Sequence, residues 1–136
     1  MKDTLIKTWA LFFGFSILCL GHGLQGTLIG VRAMYEGFSL TSIGLITAGF
    51  YIGYLIGSMI IPVLLNRVGH IRVFAALASL ASVAILLHTI ILNPFTWFLF
   101  RILTGVSIAG IYVIMESWLN DKSSNETRGQ LLSAYM

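Results

Sequence analysis

The chain has 136 residues, of which 57% are hydrophobic and 10% are charged, and its mean hydropathy is +0.92. A soluble domain carries about 25% charged residues, so this composition excludes a globular protein with a water-facing surface. The formal charge of +3 comes from lysines and arginines scattered at the ends of apolar stretches, which argues against a nucleic-acid-binding patch.

Long uncharged stretches predict four membrane-spanning helices. Residues 8–31, 37–66 and 73–100 contain no Asp, Glu, Lys or Arg. A helix rises about 1.5 Å per residue, so about 20 apolar residues cross the ~30 Å hydrocarbon layer. We therefore expect an all-α membrane protein that has the lipid bilayer as its main partner. The predicted spans are residues 9–31, 43–65, 73–92 and 95–119.

The final residues predict the beginning of a fifth helix at about residue 131. After the polar stretch 120–130, the sequence ends in a short apolar run from Leu131 to Met136. Such a run has no structural purpose of its own at the end of a chain. We therefore expect residues 1–136 to be the incomplete N-terminal part of a longer membrane protein, with more helices after Met136.

The distribution of basic residues predicts the orientation in the membrane. If the spans alternate in direction, six basic residues fall on one side and Arg32 falls on the other. The positive-inside rule then places the N-terminus in the cytoplasm of a bacterial inner membrane. The six residues are Lys2, Lys7, Arg67, Arg72, Lys122 and Arg128.

Glycines at four-residue spacing predict close packing between helices. They occur as Gly49, Gly53 and Gly57 in the second helix and as Gly26 and Gly30 in the first. The hydrophobic effect contributes little to helix association in lipid. Helices must therefore be held together by close backbone contact, which small residues permit. We expect both glycine faces to be packing surfaces.

The turn between the second and third predicted helices carries the first part of a resemblance to a known family. Residues 66–72 read NRVGHIR, which resembles the loop motif Gly-x-x-x-Asp-Arg/Lys-x-Gly-x-Arg/Lys-Arg/Lys of the major facilitator superfamily. Gly69 suits so tight a turn because glycine reaches positive φ without a Cβ clash. The alternative is an ordinary positive-inside turn without a gating role. The chain matches the motif at Arg67, Gly69 and Arg72 and departs from it at Pro62, Asn66 and Ile71.

Two further segments extend the resemblance. Residues 101–105 (RILTG) look like the family's Arg-x-x-Gln-Gly motif, with Thr104 replacing Gln and Gly105 as a further packing position. Residues 126–129 (ETRG) resemble the Arg-Gly pair before helix five, and residues 116–136 look like the YcaD-like branch. The resemblance implies a secondary carrier that moves a small solute by alternating access, and this chain would supply the first third of its twelve helices.

Three polar residues at membrane depth are candidates for a solute or proton pathway. Measured from Trp9 at the cytoplasmic boundary, His22 lies ~20 Å and Gln25 ~24 Å across the membrane. Measured from Leu119, Arg101 lies ~27 Å across. Intramembrane polar groups are costly and usually functional, and His22 and Gln25 share a helix face. His22, with an ordinary pKa of about 6.5, is also a candidate for proton coupling. Alternatively, His22 and Gln25 make interhelical hydrogen bonds and Arg101 reaches outward to the headgroups.

Charged residues at the cytoplasmic side suggest a gate. Glu116 lies ~4.5 Å inside the predicted end of helix four, at the level of Arg67 and Arg72. We hypothesise that Glu116 pairs with one of these arginines and stabilises one conformation. The alternative is a hydrated Glu at the interface. His88 is expected at the opposite interface.

Other functions lack support in the sequence. No Cys/His cluster has metal-ligand spacing, and neither a Gly-rich phosphate loop nor a nucleophile elbow occurs, so we predict no enzyme, metal site or cofactor. The remaining alternative is a small four-helix membrane anchor or assembly subunit without transport activity. The sequence does not identify the solute.

Overall fold

The computed structural model describes residues 2–122 together with residues 129 and 133. Each of its four α-helices contains a stretch long and apolar enough to cross a membrane. The all-α membrane fold predicted from the sequence is therefore confirmed, while the predicted start of a fifth helix lies almost entirely outside the described residues. The helices are α1 (Lys2–Tyr35), α2 (Leu40–Val68), α3 (His70–Ile90) and α4 (Pro94–Lys122).

Local sequence explains where the helices end. The Ser39 hydroxyl accepts a hydrogen bond from the Ser42 amide at 3.2 Å and caps α2. Asn93 Oδ1 accepts from the Phe95 amide at 2.9 Å, and Pro94 occupies the first position of α4, where its missing N–H is not needed. α3 ends at Ile90 rather than at the predicted Leu92 because this cap and proline begin the next helix.

A single residue, Gly69, connects α2 to α3. Its φ is 91°, a backbone conformation that residues with a Cβ rarely adopt, and its amide donates to the Leu65 carbonyl at 3.0 Å. Gly37, with a φ of 75°, also adopts a positive φ in the turn between α1 and α2. We use these two residues to name the Gly69 end and the Gly37 end of the bundle.

The glycine face of α2 packs directly on α4, in the most extensive helix contact of the described chain. A Cβ on Gly53 would overlap the backbone carbonyl of Ile102, and one on Gly105 would overlap that of Phe50. A Cβ on Gly57 would stand 2.7 Å from the Val106 carbonyl oxygen, and one on Gly49 would stand 2.8 Å from the Phe98 ring. The two helices can approach this closely only because these positions have no side chain.

The glycines of α1 behave differently from the prediction. Nothing lies within 4 Å of the place where a Cβ would stand on Gly26 or Gly30, so the expected close packing at these residues is wrong for the described chain. α1 instead contacts α4 through large side chains, with the Phe15 and Tyr112 ring centroids 5.1 Å apart. Glycine spacing indicates where a helix can be approached, but it does not determine which helix does so.

Two apolar clusters hold the ends of the bundle together and leave its middle to polar residues. The cluster at the Gly69 end joins α2, α3 and α4, and the cluster at the Gly37 end joins α1, α2 and α4. The first consists of Ile61, Leu65, Val73, Leu77, Ile111 and Ile114, and the second of Ile29, Ala33, Ile46 and Trp97.

Candidate functional site

Three side chains from three helices meet between the two apolar clusters. The His22 ring of α1 stacks on the Phe50 ring of α2, with centroids 4.9 Å apart and an interplanar angle of 28°. The Cζ atom of Arg101, from α4, lies 4.6 Å from the centroid of the same Phe50 ring. Arg101 is only 6% exposed. Phe50 therefore contacts both His22 and Arg101, the two charged or titratable candidates of the predicted pathway.

These three residues line a cavity of about 300 Å³ between α1, α2 and α4, which we call the first cavity. Glycines of α1 leave room for it, since their missing side chains would otherwise fill the gap. Its volume is at the lower end of the range for small-molecule pockets. Its lining also includes Gly23, Gly26, Gly30, Ile29, Ile43, Ile46, Thr47 and Tyr51.

Gln25 does not line the first cavity as predicted. It lies in a second cavity of about 300 Å³, together with Arg32, His88 and Trp97. Residues three apart on a helix differ in direction by about 60°, which is enough here for His22 to face one cavity and Gln25 the other. The structure thus brings His22 and Arg101 to one cavity and assigns Gln25 to its neighbour.

His88 lies in the last turn of α3, and its side chain is buried by neighbouring helices. It is 5% exposed, and its ring centroid lies 5.3 Å from those of both Trp97 and Phe100. Its Nδ1 atom pairs with the Ala84 carbonyl at 2.6 Å. α4 thus covers this face of α3 with aromatic side chains, and the expected place of His88 near the membrane interface stays a prediction.

Four buried polar atoms have no hydrogen-bond partner within the described chain: His22 Nδ1, Gln25 Nε2, His88 Nε2 and Arg101 Nη1. Buried polar groups are nearly always paired in folded proteins, so such a concentration near two cavities requires an explanation. A bound solute, water or another part of the protein would satisfy them. No group of three or more His, Cys, Asp or Glu side chains suited to a metal ion occurs among residues 2–122.

The proposed gate residues lie together at the Gly69 end. Asn66, Arg67, Arg72 and Glu116 are exposed, and Gly69 is partly buried. No ion pair joins Glu116 to either arginine within the described part of the chain. The predicted pairing is therefore not formed in this conformation.

A different polar contact joins the helices at this end. His70 Nε2, in the first turn of α3, lies 2.9 Å from Ser117 Oγ and 3.7 Å from Asp121 Oδ2 of α4. Sequence reasoning placed His70 in the cytoplasmic turn and gave it no role. The missed signal was its place at the first residue of α3, opposite the polar last turns of an antiparallel α4.

Comparisons with known proteins add evidence from the whole sequence. A family model described as Major Facilitator Superfamily matches residues 11–136. An uncharacterized MFS-type transporter, YcaD of Escherichia fergusonii, is 26% identical over 126 residues, which cover 93% of this chain and 33% of that relative. An uncharacterized MFS-type transporter of Enterobacter sp. strain 638 is 25% identical over 126 residues, which again cover 93% of this chain and 33% of the relative. The chain thus spans about a third of the length of these relatives. No solved structure matches it.

Proposed function

Because this chain belongs to the major facilitator superfamily, we propose that it forms the first helices of a secondary carrier that moves a small solute across a bacterial inner membrane. Its apolar helices make it an integral membrane protein, and the family supports a transporter role. Alternating access and a cytoplasmic N-terminus, the latter supported by the positions of the basic residues, belong to the proposal. Family membership does not favour the alternative of a four-helix anchor without transport.

The first cavity is the observation that carries the proposal. It combines a buried guanidinium, a stacked imidazole and apolar walls between three helices, in the half of the bundle nearer the Gly37 end. A few polar groups among apolar walls are typical of a small-molecule site. A purely structural bundle would fill this space with close-packed apolar side chains. We assign His22 and Arg101 to the solute pathway and place Gln25 in the adjoining second cavity.

The packing of the helices supports movement of α1 relative to the others. α2 and α4 touch backbone to backbone, whereas α1 meets them mainly through side chains and borders both cavities. A rigid α2–α4 pair with a loosely held α1 can open and close the first cavity without breaking backbone contacts. This is the kind of motion that alternating access requires.

The Gly69 end is proposed as the cytoplasmic gate. Asn66, Arg67, Gly69 and Arg72 form its turn, and Glu116 lies at the same end on α4. Since Glu116 and the arginines are separate in this conformation, their pairing would belong to another conformation of the transport cycle.

Transport by sealed vesicles tests the proposal. Inside-out and right-side-out vesicles would carry the chain together with any coding sequence that follows Met136, and mass spectrometry would measure which metabolites of a mixture accumulate or are depleted. We expect at least one solute to move in wild-type vesicles and its flux to be lost with Arg101→Gln. Wild-type vesicles that match empty ones for every solute would favour the anchor alternative.

A further inference from the structure

The charge of the first cavity indicates what kind of solute it takes. Arg101 is 6% exposed and lines the cavity, and its Nη1 atom lacks a hydrogen-bond partner. A guanidinium stays protonated even when buried, so its positive charge persists inside the cavity. The described residues that line the cavity include no Asp or Glu.

The ring of Phe50 compensates part of this charge. A cation over an aromatic face gains about 0.5–2 kcal/mol, which offsets only part of the cost of burying an unpaired charge. The described carboxylates of Glu36, Glu116 and Asp121 belong to the ends of the helices. Glu36 is already paired with Arg32 at 2.6 Å, and Asp121 lies beside His70.

We propose that the first cavity binds a small organic anion, with one carboxylate on the guanidinium of Arg101 and an apolar portion against the isoleucines of α1 and α2. This deepens the proposed function and rests on it for the role of the site in transport. A guanidinium donates two parallel hydrogen bonds to a carboxylate, and Arg101 lines the cavity in which that carboxylate would sit.

The remaining walls limit the anion further. Ile29, Ile43 and Ile46 offer only hydrocarbon, and the Thr47 hydroxyl already donates to the Ile43 carbonyl at 3.0 Å. His22 and Tyr51 also line the cavity and can contact further polar atoms of the solute. With one permanent cation and a volume of about 300 Å³, the site suits a monocarboxylate with a short aliphatic or aromatic body.

Matched probe pairs test the charge preference directly. The purified chain, together with any coding sequence that follows Met136, is placed in phosphatidylcholine nanodiscs. It is titrated by calorimetry with phenylacetate and phenylacetamide, and with hexanoate and hexanamide. Empty nanodiscs correct for partitioning into lipid. The members of each pair have nearly the same shape and differ in charge. We expect at least one carboxylate to bind at least about tenfold more tightly than its amide.

Variants identify the residue responsible. Arg101→Gln should remove the preference for the carboxylate, and Arg101→Lys should keep part of it because the charge remains. Arg32→Gln removes an exposed arginine outside the first cavity and should leave the preference for the carboxylate unchanged. Circular dichroism checks that each variant is folded.

Three results would overturn the inference: equal affinity for carboxylate and amide, a preference that survives in folded Arg101→Gln, or no binding of either carboxylate. The last would mean that the protein itself neutralises Arg101. Failure of transport is distinguishable, because anion binding without flux in vesicles would reject the carrier but not the anion site. Flux of a neutral or cationic solute that does not depend on Arg101, with no carboxylate bound, would reject the anion site but not the carrier.

Discussion

The guanidinium carbon of Arg101 lies 4.6 Å from the centre of the Phe50 ring, and the imidazole of His22 stacks on the same ring with centroids 4.9 Å apart. One aromatic side chain on α2 thus fixes a cation from α4 and a titratable ring from α1. This arrangement holds two polar side chains beside a cavity in the apolar interior of the bundle.

Replacing Phe50 should loosen the site and the bundle together. Phe50→Leu removes the cation–π contact and the stacking on His22, and we expect the free energy of unfolding to fall by roughly 1–3 kcal/mol. Phe13→Leu is the matched control, because Phe13 is 61% exposed on α1. This substitution should change the free energy of unfolding by less than about 0.5 kcal/mol. Unfolding in mild detergent by denaturant measures both; equal effects would contradict a special role for Phe50.

The α2–α4 contact should not tolerate a methyl group. Gly53→Ala places a Cβ on the Ile102 carbonyl and must separate the two backbones, so we expect a loss of about 1–3 kcal/mol of stability. Gly21→Ala, where nothing lies within 4 Å of the new Cβ, should instead be neutral or gain up to about 1 kcal/mol from helix propensity. Thermal unfolding of the two variants side by side makes the comparison. Similar stability in both would show that α2 and α4 are not so closely packed.

The gate hypothesis predicts a pattern of rescue. If Glu116 pairs with an arginine in another conformation, Glu116→Arg should reduce transport, and adding Arg67→Glu or Arg72→Glu should restore it. Because Glu116 is exposed and unpaired with either arginine in this conformation, Glu116→Gln should change stability by less than about 0.5 kcal/mol. Flux in vesicles, with expression levels matched, is the measurement. If neither Arg67→Glu nor Arg72→Glu restores transport to Glu116→Arg, Glu116 is not part of the gate.

Proton coupling through His22 predicts a change in the pH profile. Histidine is the side chain that most readily exchanges protons near neutral pH, so His22→Gln should flatten the dependence of flux on pH if His22 couples protons to transport. His88→Gln removes the buried histidine that lines the second cavity and should leave the profile in place. An unchanged profile in an active His22→Gln carrier would exclude His22 from coupling.

The sequence predicted those features that a single residue reveals. Arg101 and His22 stand out because polar groups are rare within apolar stretches, and Gly69 stands out because only a tight turn fits between two spans. Phe50 could not be singled out, because the chain has nine phenylalanines and nothing local distinguishes the one that contacts Arg101.

Pairing between helices was harder to predict than the helices themselves. The glycines of α2 meet α4, while Gly26 and Gly30 of α1 face open space, although their spacing is the same. Gln25 and His22 diverge into separate cavities for a similar reason: the spacing gives their angle on α1, but the positions of α3 and α4 decide what each one faces.

Thiol labelling tests most directly whether the first cavity belongs to an aqueous solute pathway. Thr47 lines the cavity, whereas Leu55, two turns later on α2, is 61% exposed and lies outside that lining. In a Cys19→Ala background, a charged, membrane-impermeant methanethiosulfonate reagent should label Thr47→Cys and spare Leu55→Cys, because a thiol reacts as its thiolate and needs water to ionise. Labelling at neither position, or at equal rates at both, would contradict the pathway.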